Sequence, residues 1–423
     1  MSETDVHRAI DAVWRIESAR LIARLARLVH DVGIAEELAQ DALVAALERW
    51  PESGIPDNPG AWLTATAKYR AIDLLRRRTA LEGKQADLVR QSQYHDELAE
   101  VDLDAGLDDD DVGDDLLRLV FVACHPVLST EARVALTLRL LGGLTTDEIA
   151  RAFLVRESTV AQRIVRAKRT LAEANVPFEI PHGPELGERL GSVLEVIYLV
   201  FNEGYAATAG DDWIRPGLCE DALRLGRILA ELVPTEPEVH GLVALMEIQA
   251  SRLAARIAPS GEPVLLLDQD RDRWDQLLIR RGLAALARAE QLGRTLGPYA
   301  LQAAIAACHA RVRRAEDTDW TRIAALYDAL AQIAPSPVVE LNRAVALAMA
   351  FGPAAGLEVV EALIADGSLA GYHLLPSVRG DLLAKLGRFD EARTEFARAA
   401  SLARNSRERD LLLSRASIDP SSP

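Results

Sequence analysis

Cysteine is scarce in this chain of 423 residues, and the three present, Cys124, Cys219 and Cys308, lie far apart. That excludes a disulfide framework and a zinc site built on cysteine spacing. Cys124 and Cys308 are each followed by histidine, yet both pairs sit in apolar helical runs without further ligands, so buried structural thiols are expected. Long apolar runs are missing as well. No uninterrupted stretch reaches membrane-spanning length, and the opening MSETDVHRAI is too polar for a secretory signal, so a cytoplasmic protein without a membrane partner is expected. The third absence is a basic balance: 48 Lys and Arg against 64 Asp and Glu leave a formal net charge of −16, whereas most DNA binders are basic.

The acidic excess is concentrated. Thr79 to Asp115 carries thirteen carboxylates against Lys84 and Arg90, a net of −11, which is over two thirds of the whole imbalance. Its run LDDDDVGDD, Leu107 to Asp115, has no apolar periodicity and is expected to be a loosely ordered linker. A solubilising spacer is the favoured reading; the other is a nucleic-acid mimic competing for basic surface.

With the linker set aside, two basic segments stand out. Leu140 to Arg169, LLGGLTTDEIARAFLVRESTVAQRIVRAKR, predicts two short amphipathic helices joined by a tight turn. Thr145 or Thr146 suits the first N-cap, with Asp147 and Glu148 in the first turn and Ile149, Ala150 and Phe153 facing inward. The second helix starts near Ser158, with Val160 and Ile164 inward and Thr159, Gln162, Arg163, Arg166 and Arg169 outward. Arg and Gln read base edges bidentately, so this row suits a major groove, although such a stripe also occurs as a solvated face. Upstream, NPGAWLTATAKYRAIDLLRRR, Asn58 to Arg78, predicts a helix capped by Asn58 with Pro59 as its first residue. Lys68, Arg70, Arg76, Arg77 and Arg78 outnumber Asp73, and Trp62 and Tyr69 lie among them, as unstacked bases would favour. Before it, GIAEELAQDALVAALERW, Gly33 to Trp50, predicts an acidic amphipathic helix. Leu38, Ala42, Ala45 and Trp50 form its core side, and Glu36, Glu37, Gln40, Asp41 and Glu48 its polar face.

The ordered trio AEELAQDALVAALERW, GAWLTATAKYRAIDLLRRR and GGLTTDEIARAFLVRESTVAQRIVRAKR resembles region two followed by region four of the extracytoplasmic-function (ECF) sigma factors of bacterial RNA polymerase. The resemblance covers about residues 5 to 175. The remainder is similar to the branch of that family with a long, tetratricopeptide-like helical extension. What the resemblance implies is specific. Glu37, Gln40, Asp41 and Glu48 would dock on the beta-prime coiled coil, with the beta flap as a second polymerase partner. Lys68, Tyr69, Arg70, Arg76, Arg77 and Arg78 would meet the start-proximal promoter element, Trp62 would support the region-two core, and Thr159, Gln162, Arg163, Arg166, Lys168 and Arg169 would meet the upstream element. Two positions depart from the pattern. Tyr69 stands where many members carry asparagine, and Leu154 where such turns commonly carry a glycine able to adopt a left-handed backbone.

Past PFEIPHGP, Pro177 to Pro184, the composition turns to Ala/Leu-rich helices punctuated by Pro and Gly. Pro298, Pro337 and Pro376 recur at a spacing of thirty-nine, each expected to precede a helical hairpin. The last hairpin, from Ser377, places Leu383, Leu386, Gly387, Ala392, Phe396 and Ala399 in tetratricopeptide packing positions. Two polar runs interrupt this half, FNEGY (Phe201 to Tyr205) and LLLDQDRDRWDQ (Leu265 to Gln276). Asp268, Asp270 and Asp272 alternate as in a calcium loop, but Arg273 and Ile279 occupy the required glycine and glutamate positions, so no EF-hand is assigned. Asp268 or Asp270 is expected to pair with Arg271, Arg273 or a neighbour and fix a turn. An effector or interdomain site, if present, is expected where the two runs meet, at Asn202, Glu203, Tyr205, Asp268, Asp270 and Arg271.

The expected architecture is all-α: sigma region 2 over 5–79, an acidic linker over 80–115, a region 4 helix-turn-helix over 116–176, a linker over 177–184, and a helical-repeat domain over 185–417. The expected function is promoter recognition and opening with core RNA polymerase, tuned by the repeat domain, with no cofactor, metal or catalytic residue. The other class is a helix-turn-helix regulator that acts without polymerase and binds an effector on its repeats.

Overall fold

The computed structural model describes residues 3–86, 112–153, 155–207, 213–259, 262–293 and 295–417. Among them every regular element is helical, apart from one isolated bridge between Ile257 and Pro263. The chain divides into two compact units, Met1–Val196 and Ile197–Pro423, the boundary falling inside one helix.

In the first unit α1 (Glu3–Val29) lies against α2 (Val32–Ser53), α3 (Pro59–Ala86) and α4 (Val112–Ala123). The core that they share is built from Ile10, Leu21, Ile22, Leu25, Leu38, Ala42, Trp50, Leu63, Leu119 and Phe121, all buried. Local chemistry sets the helix starts. The Asp31 carboxylate accepts from the Ile34 N–H at 2.9 Å, and Asn58 Oδ1 accepts from the Ala61 N–H at 3.0 Å, ahead of Pro59. Then come α5 (Thr130–Leu140), α6 (Thr146–Ala152) and α7 (Glu157–Glu173), which pack on one another. Thr145 and Glu148 make a reciprocal capping box at the start of α6. Gly143, between α5 and α6, has φ +71°, and a Cβ there would come within 3.1 Å of Ser18 Oγ on α1. The first turns of α8 (Pro184–Tyr205) complete this unit: Arg189 donates to the Phe121 carbonyl at 2.9 Å, and Ser192 to the Cys124 carbonyl at 2.7 Å.

The sequence run Leu107 to Asp115 is not wholly a linker. Helix α4 begins at Val112, and the Asp115 carboxylate is 1% exposed, 2.7 Å from Arg118 and 3.3 Å from Arg27. Two cationic partners, one of them on α1, hold this carboxylate in the fold. The rest of that run, to Asp111, lies outside the described residues, as does Leu154.

The second unit contains the end of α8 and a succession of helices, each packed on its chain neighbours: α9 (Pro216–Leu232), α10 (Pro237–Ala250), α11 (Gln276–Leu292), α12 (Pro298–Ala310), α13 (Trp320–Ile333), α14 (Pro337–Phe351), α15 (Pro353–Asp366), α16 (Leu374–Lys385), α17 (Phe389–Leu402) and α18 (Ser406–Ser417). Pro298 and Pro337 open their helices as the spacing predicts, whereas Pro376 falls in the first turn of α16. Leu383, Ala392, Phe396 and Ala399 are buried in the last core. Leu386 is not: it is exposed at the end of α16, and Gly387 (φ +78°) makes the turn into α17 instead of packing. Between α10 and α12 the backbones come very close. A Cβ on Gly241 would lie 2.7 Å from the Ala300 amide nitrogen, while Glu238 caps α12 by accepting from the Tyr299 and Ala300 N–H groups at 2.7 and 3.2 Å. Gly241→Ala is therefore expected to cost about 1–3 kcal/mol by overpacking, read as a lower denaturation midpoint of the intact chain. All three cysteines are buried. Burial pushes the Cys124 thiol up to about 11 and the Cys219 thiol up to about 12, in keeping with inert, structural sulfur.

Candidate nucleic-acid and protein interfaces

Helix α2 separates its residues much as its periodicity predicts. Glu37, Asp41 and Glu48 are exposed and Gln40 is half-buried; offsets of four and eleven from Glu37 put the three carboxylates on one stripe. Glu36 departs from the expectation. It is 2% exposed, accepts from Arg139 of α5 at 2.6 Å and pairs with Lys168 of α7, while Gln40 donates to the same carboxylate. Burial alone would push this carboxyl up, but the Lys168 ammonium and the Arg139 guanidinium outweigh it and hold its pKa below the ordinary 4.5. A second tie joins the same parts of the unit, Arg15 of α1 to Glu148 of α6 at 2.8 Å.

Helix α3 turns one side into the core through Leu63, Ala67 and Ala71. Trp62 meets Trp50 of α2 edge to face, ring centroids 5.3 Å apart, so it supports the packing between the two helices. Tyr69 is 76% exposed, an unusual cost for an aromatic ring with no protein surface to cover. Around it Arg70, Arg76 and Arg77 are exposed and Lys68 is half-buried. Arg70 reaches Asp41 at 3.0 Å and Arg77 reaches Asp73 at 2.6 Å, both surface pairs that cost little to exchange for another anion. The Arg78 side chain lies outside the described residues.

On α7, Val160, Ile164, Ala167 and Leu171 face the core at helical spacing. Gln162, Arg166 and Arg169 are exposed, and Thr159 and Arg163 half-buried, so the outward row shares one side of the helix. Arg169 is held at 2.6 Å by Glu173 one turn on. Lys168 lies off that row, against Glu36, and is not presented to solvent as the other cations are. The Glu36 carboxylate draws it there, and its alkyl chain lies in ordinary van der Waals range of a Cβ placed on Gly33 at the start of α2.

The paired polar runs of the second unit are arranged differently from the sequence expectation. Among the described residues no ion pair joins Asp268 or Asp270 to an arginine. Asp270 instead accepts from the Asp272 N–H at 3.0 Å, and Asp275 caps α11. Arg271 runs into the interior and donates to the His309 and Val312 carbonyls at the end of α12, and to Thr318 at 3.3 Å. A helix C-terminus offers carbonyl acceptors that a guanidinium satisfies better than a solvated carboxylate would, and this is why the pairing differs. Glu203 pairs with Arg215, and Asn202 bonds to the Tyr198 hydroxyl. Tyr205 belongs to a different cluster, with Arg252 and Arg256, which the sequence reading did not single out.

The chain is similar to known proteins along most of its length. Residues 16–80 match the family described as Sigma-70 region 2, residues 118–171 the family described as Sigma-70, region 4, and residues 189–290 a family of unknown function, DUF6596. An uncharacterised protein of Rhizobium meliloti is 45% identical over 91% of this chain and 89% of its own length. The ECF RNA polymerase sigma factor SigK of Mycobacterium ulcerans is 32% identical over 36% of this chain and 78% of its length. The probable ECF RNA polymerase sigma factor SigI of Mycobacterium tuberculosis is 28% identical over 41% of this chain and 58% of its length, so the chain spans just over half of that relative.

Proposed function

Because the chain belongs to the ECF family of RNA polymerase sigma factors, we propose that it binds core RNA polymerase, directs it to a two-part promoter and helps open the DNA there. The observation that carries this reading is the division of labour within one unit: an acidic stripe on α2 beside two cationic helix faces, on α3 and α7. The stripe of Glu37, Asp41 and Glu48, with Gln40, docks on a basic surface of the beta-prime coiled coil. The exposed Tyr69 ring stacks on an unpaired base of the start-proximal element, where Arg70, Arg76 and Arg77 hold phosphates. The outward row of α7, Gln162 and Arg166 foremost, reads the upstream element in the major groove. Each phosphate contact releases counterions, so promoter binding weakens steeply as salt rises. In this role the protein is an initiation factor, with the chemistry left to the polymerase, and it works in the cytoplasm.

The division of the chain that goes with this function is region 2 over 5–79, the acidic linker over 80–115, region 4 over 116–176 and the C-terminal helical domain over 185–417. That last domain tunes initiation, as a fused regulator or as a docking surface for a partner. The test is run-off transcription by core polymerase from the DNA upstream of the protein's own gene, with the full chain and with residues 1–196. Truncation after Val196 keeps the Arg189 and Ser192 bonds to the first unit. A start-specific transcript is expected from the full chain, and a different yield from the truncated one. Absence of any transcript despite retained DNA binding would remove the sigma reading, and equal yields would remove the regulatory role.

A further inference from the structure

Three arginines and three aromatic rings alternate in the second unit, from the half-buried Trp213, Arg256 and Tyr205 to the buried Arg252, Trp274 and Arg271. Arg256 lies between Trp213 and Tyr205, its guanidinium carbon 5.5 and 3.8 Å from their ring centroids. Arg252 follows, 5.6 Å from Tyr205 and 5.7 Å from Trp274, and Arg271 lies 4.9 Å from the far side of that chain of contacts, over Trp274. Arg252 is 9% exposed and Arg271 8%. Among the described residues no carboxylate pairs with any of the three. Arg271 is anchored to carbonyls, but the Nε of each of the three arginines is covered and has no hydrogen-bond acceptor, and so are the indole N–H groups of Trp213 and Trp274. Cation–π contacts soften the desolvation of a guanidinium without neutralising it.

Neighbouring groups respond both to burial and to the clustered guanidiniums. Burial first, then the Arg252 and Arg271 guanidiniums, push the neighbouring His309 imidazole down to about 4, so it is neutral at physiological pH. Burial and Arg252 likewise lower the pKa of Arg271, with Glu316 and Asp317 acting on it only from a distance. Among the described residues this unit buries Arg252 and Arg271, half-buries Arg256 and leaves several covered N–H donors without an acceptor, a role that a small anion would fill.

We propose that this ladder is a binding site for a small oxyanion, the phosphate or carboxylate group of a soluble molecule, with Arg252 and Arg256 as its principal contacts and Arg271 as a fixed positive end. Guanidinium forks match both kinds of group bidentately. Burial of Arg252 favours a small ligand over the backbone of a nucleic acid, which cannot follow a side chain into the interior. Such a site gives the C-terminal domain a ligand input that the proposed transcription function does not supply by itself.

The experiment is thermal denaturation and titration calorimetry of the full-length protein with inorganic phosphate and, separately, citrate, each against sodium chloride of equal ionic strength. One of the two anions is expected to raise the midpoint by about 3 °C or more at saturating concentration, beyond the chloride effect. Phosphate alone doing so assigns a phosphate ligand, and citrate alone a carboxylate. Arg252→Met and Arg256→Gln are each expected to weaken that binding tenfold or more. Without ligand, Arg252→Met is expected to melt no lower than the parent, because it removes a buried cation that pairs with no carboxylate among the described residues. A lower unliganded midpoint, together with no anion-specific shift in the parent, would overturn the proposal and leave a purely structural ladder. A shift produced by a DNA duplex but by neither small anion would also overturn it.

Discussion

Glu36→Ala is expected to destabilise the first unit by about 3–5 kcal/mol, because it leaves Arg139 and Lys168 facing each other in a covered site without their shared carboxylate. Denaturant unfolding of residues 1–196 reads this directly. Neutralising the whole cluster, as Glu36→Met with Arg139→Met and Lys168→Met, is expected to restore most of the loss, since apolar side chains of similar volume need no ionic partner. If the triple variant is as unstable as the single one, the loss comes from packing and the ionic account is wrong. The pH dependence carries a sign of its own. The Glu36 pKa is depressed in the folded protein, so its contribution is complete above the unfolded value near 4.5 and fades as pH falls through the folded one. Below pH 4.5 the parent should therefore lose stability more steeply with acid than Glu36→Gln does.

The same triad bears on how the protein acts. Lys168 lies on the helix proposed to read the upstream promoter element, and Glu36 on the helix proposed to dock on polymerase, so the ion pair fastens the two modules to one another. If both modules must engage widely spaced sites, that fastening subtracts from apparent affinity in proportion to the closed fraction. Arg139→Met, which touches neither proposed interface, should then raise transcript yield at limiting protein while lowering stability.

Helical periodicity made most of this unit legible beforehand. The core side of α2, the caps at Asn58 and Thr145, and the inward row of α7 all rest on interactions within four residues, which a sequence displays. Glu36 and Asp115 were not legible for the opposite reason. Each looks like a solvated carboxylate among others, and each meets a cation distant in the chain, Arg139 for Glu36, 103 residues away, and Arg27 for Asp115 beside its local partner Arg118. The arginine ladder escaped in the same way, because Arg252 and Arg256 flank a short turn after α10 with no local charge pattern and acquire their meaning only from Tyr205, Trp213 and Trp274. Arg252 lies between Tyr205 of the run 201–205 and Trp274 of the run 265–276, a contact that neither run displays by itself.

The proposed polymerase contact predicts the largest functional effect. Glu37→Lys together with Asp41→Lys reverses two charges on the exposed stripe of α2 while leaving Leu38, Ala42 and Ala45 in the core untouched. Losing one member of a desolvated interfacial charge pair costs about 2–5 kcal/mol, roughly 30-fold to several thousand-fold in affinity, and reversal adds repulsion. Retention on core polymerase and run-off transcription should therefore both fall at least thirtyfold. Asp41 also holds Arg70, so Asp41→Asn serves as the control for any disturbance of α3. Binding of the upstream element by α7 should be unchanged, since Gln162 and Arg166 lie on a separate helix. Loss of polymerase retention with promoter-element binding intact is the signature of a sigma factor. Unchanged retention would mean that the stripe is only a solvated face, and would bring forward a regulator that uses the same cationic helices without the polymerase core.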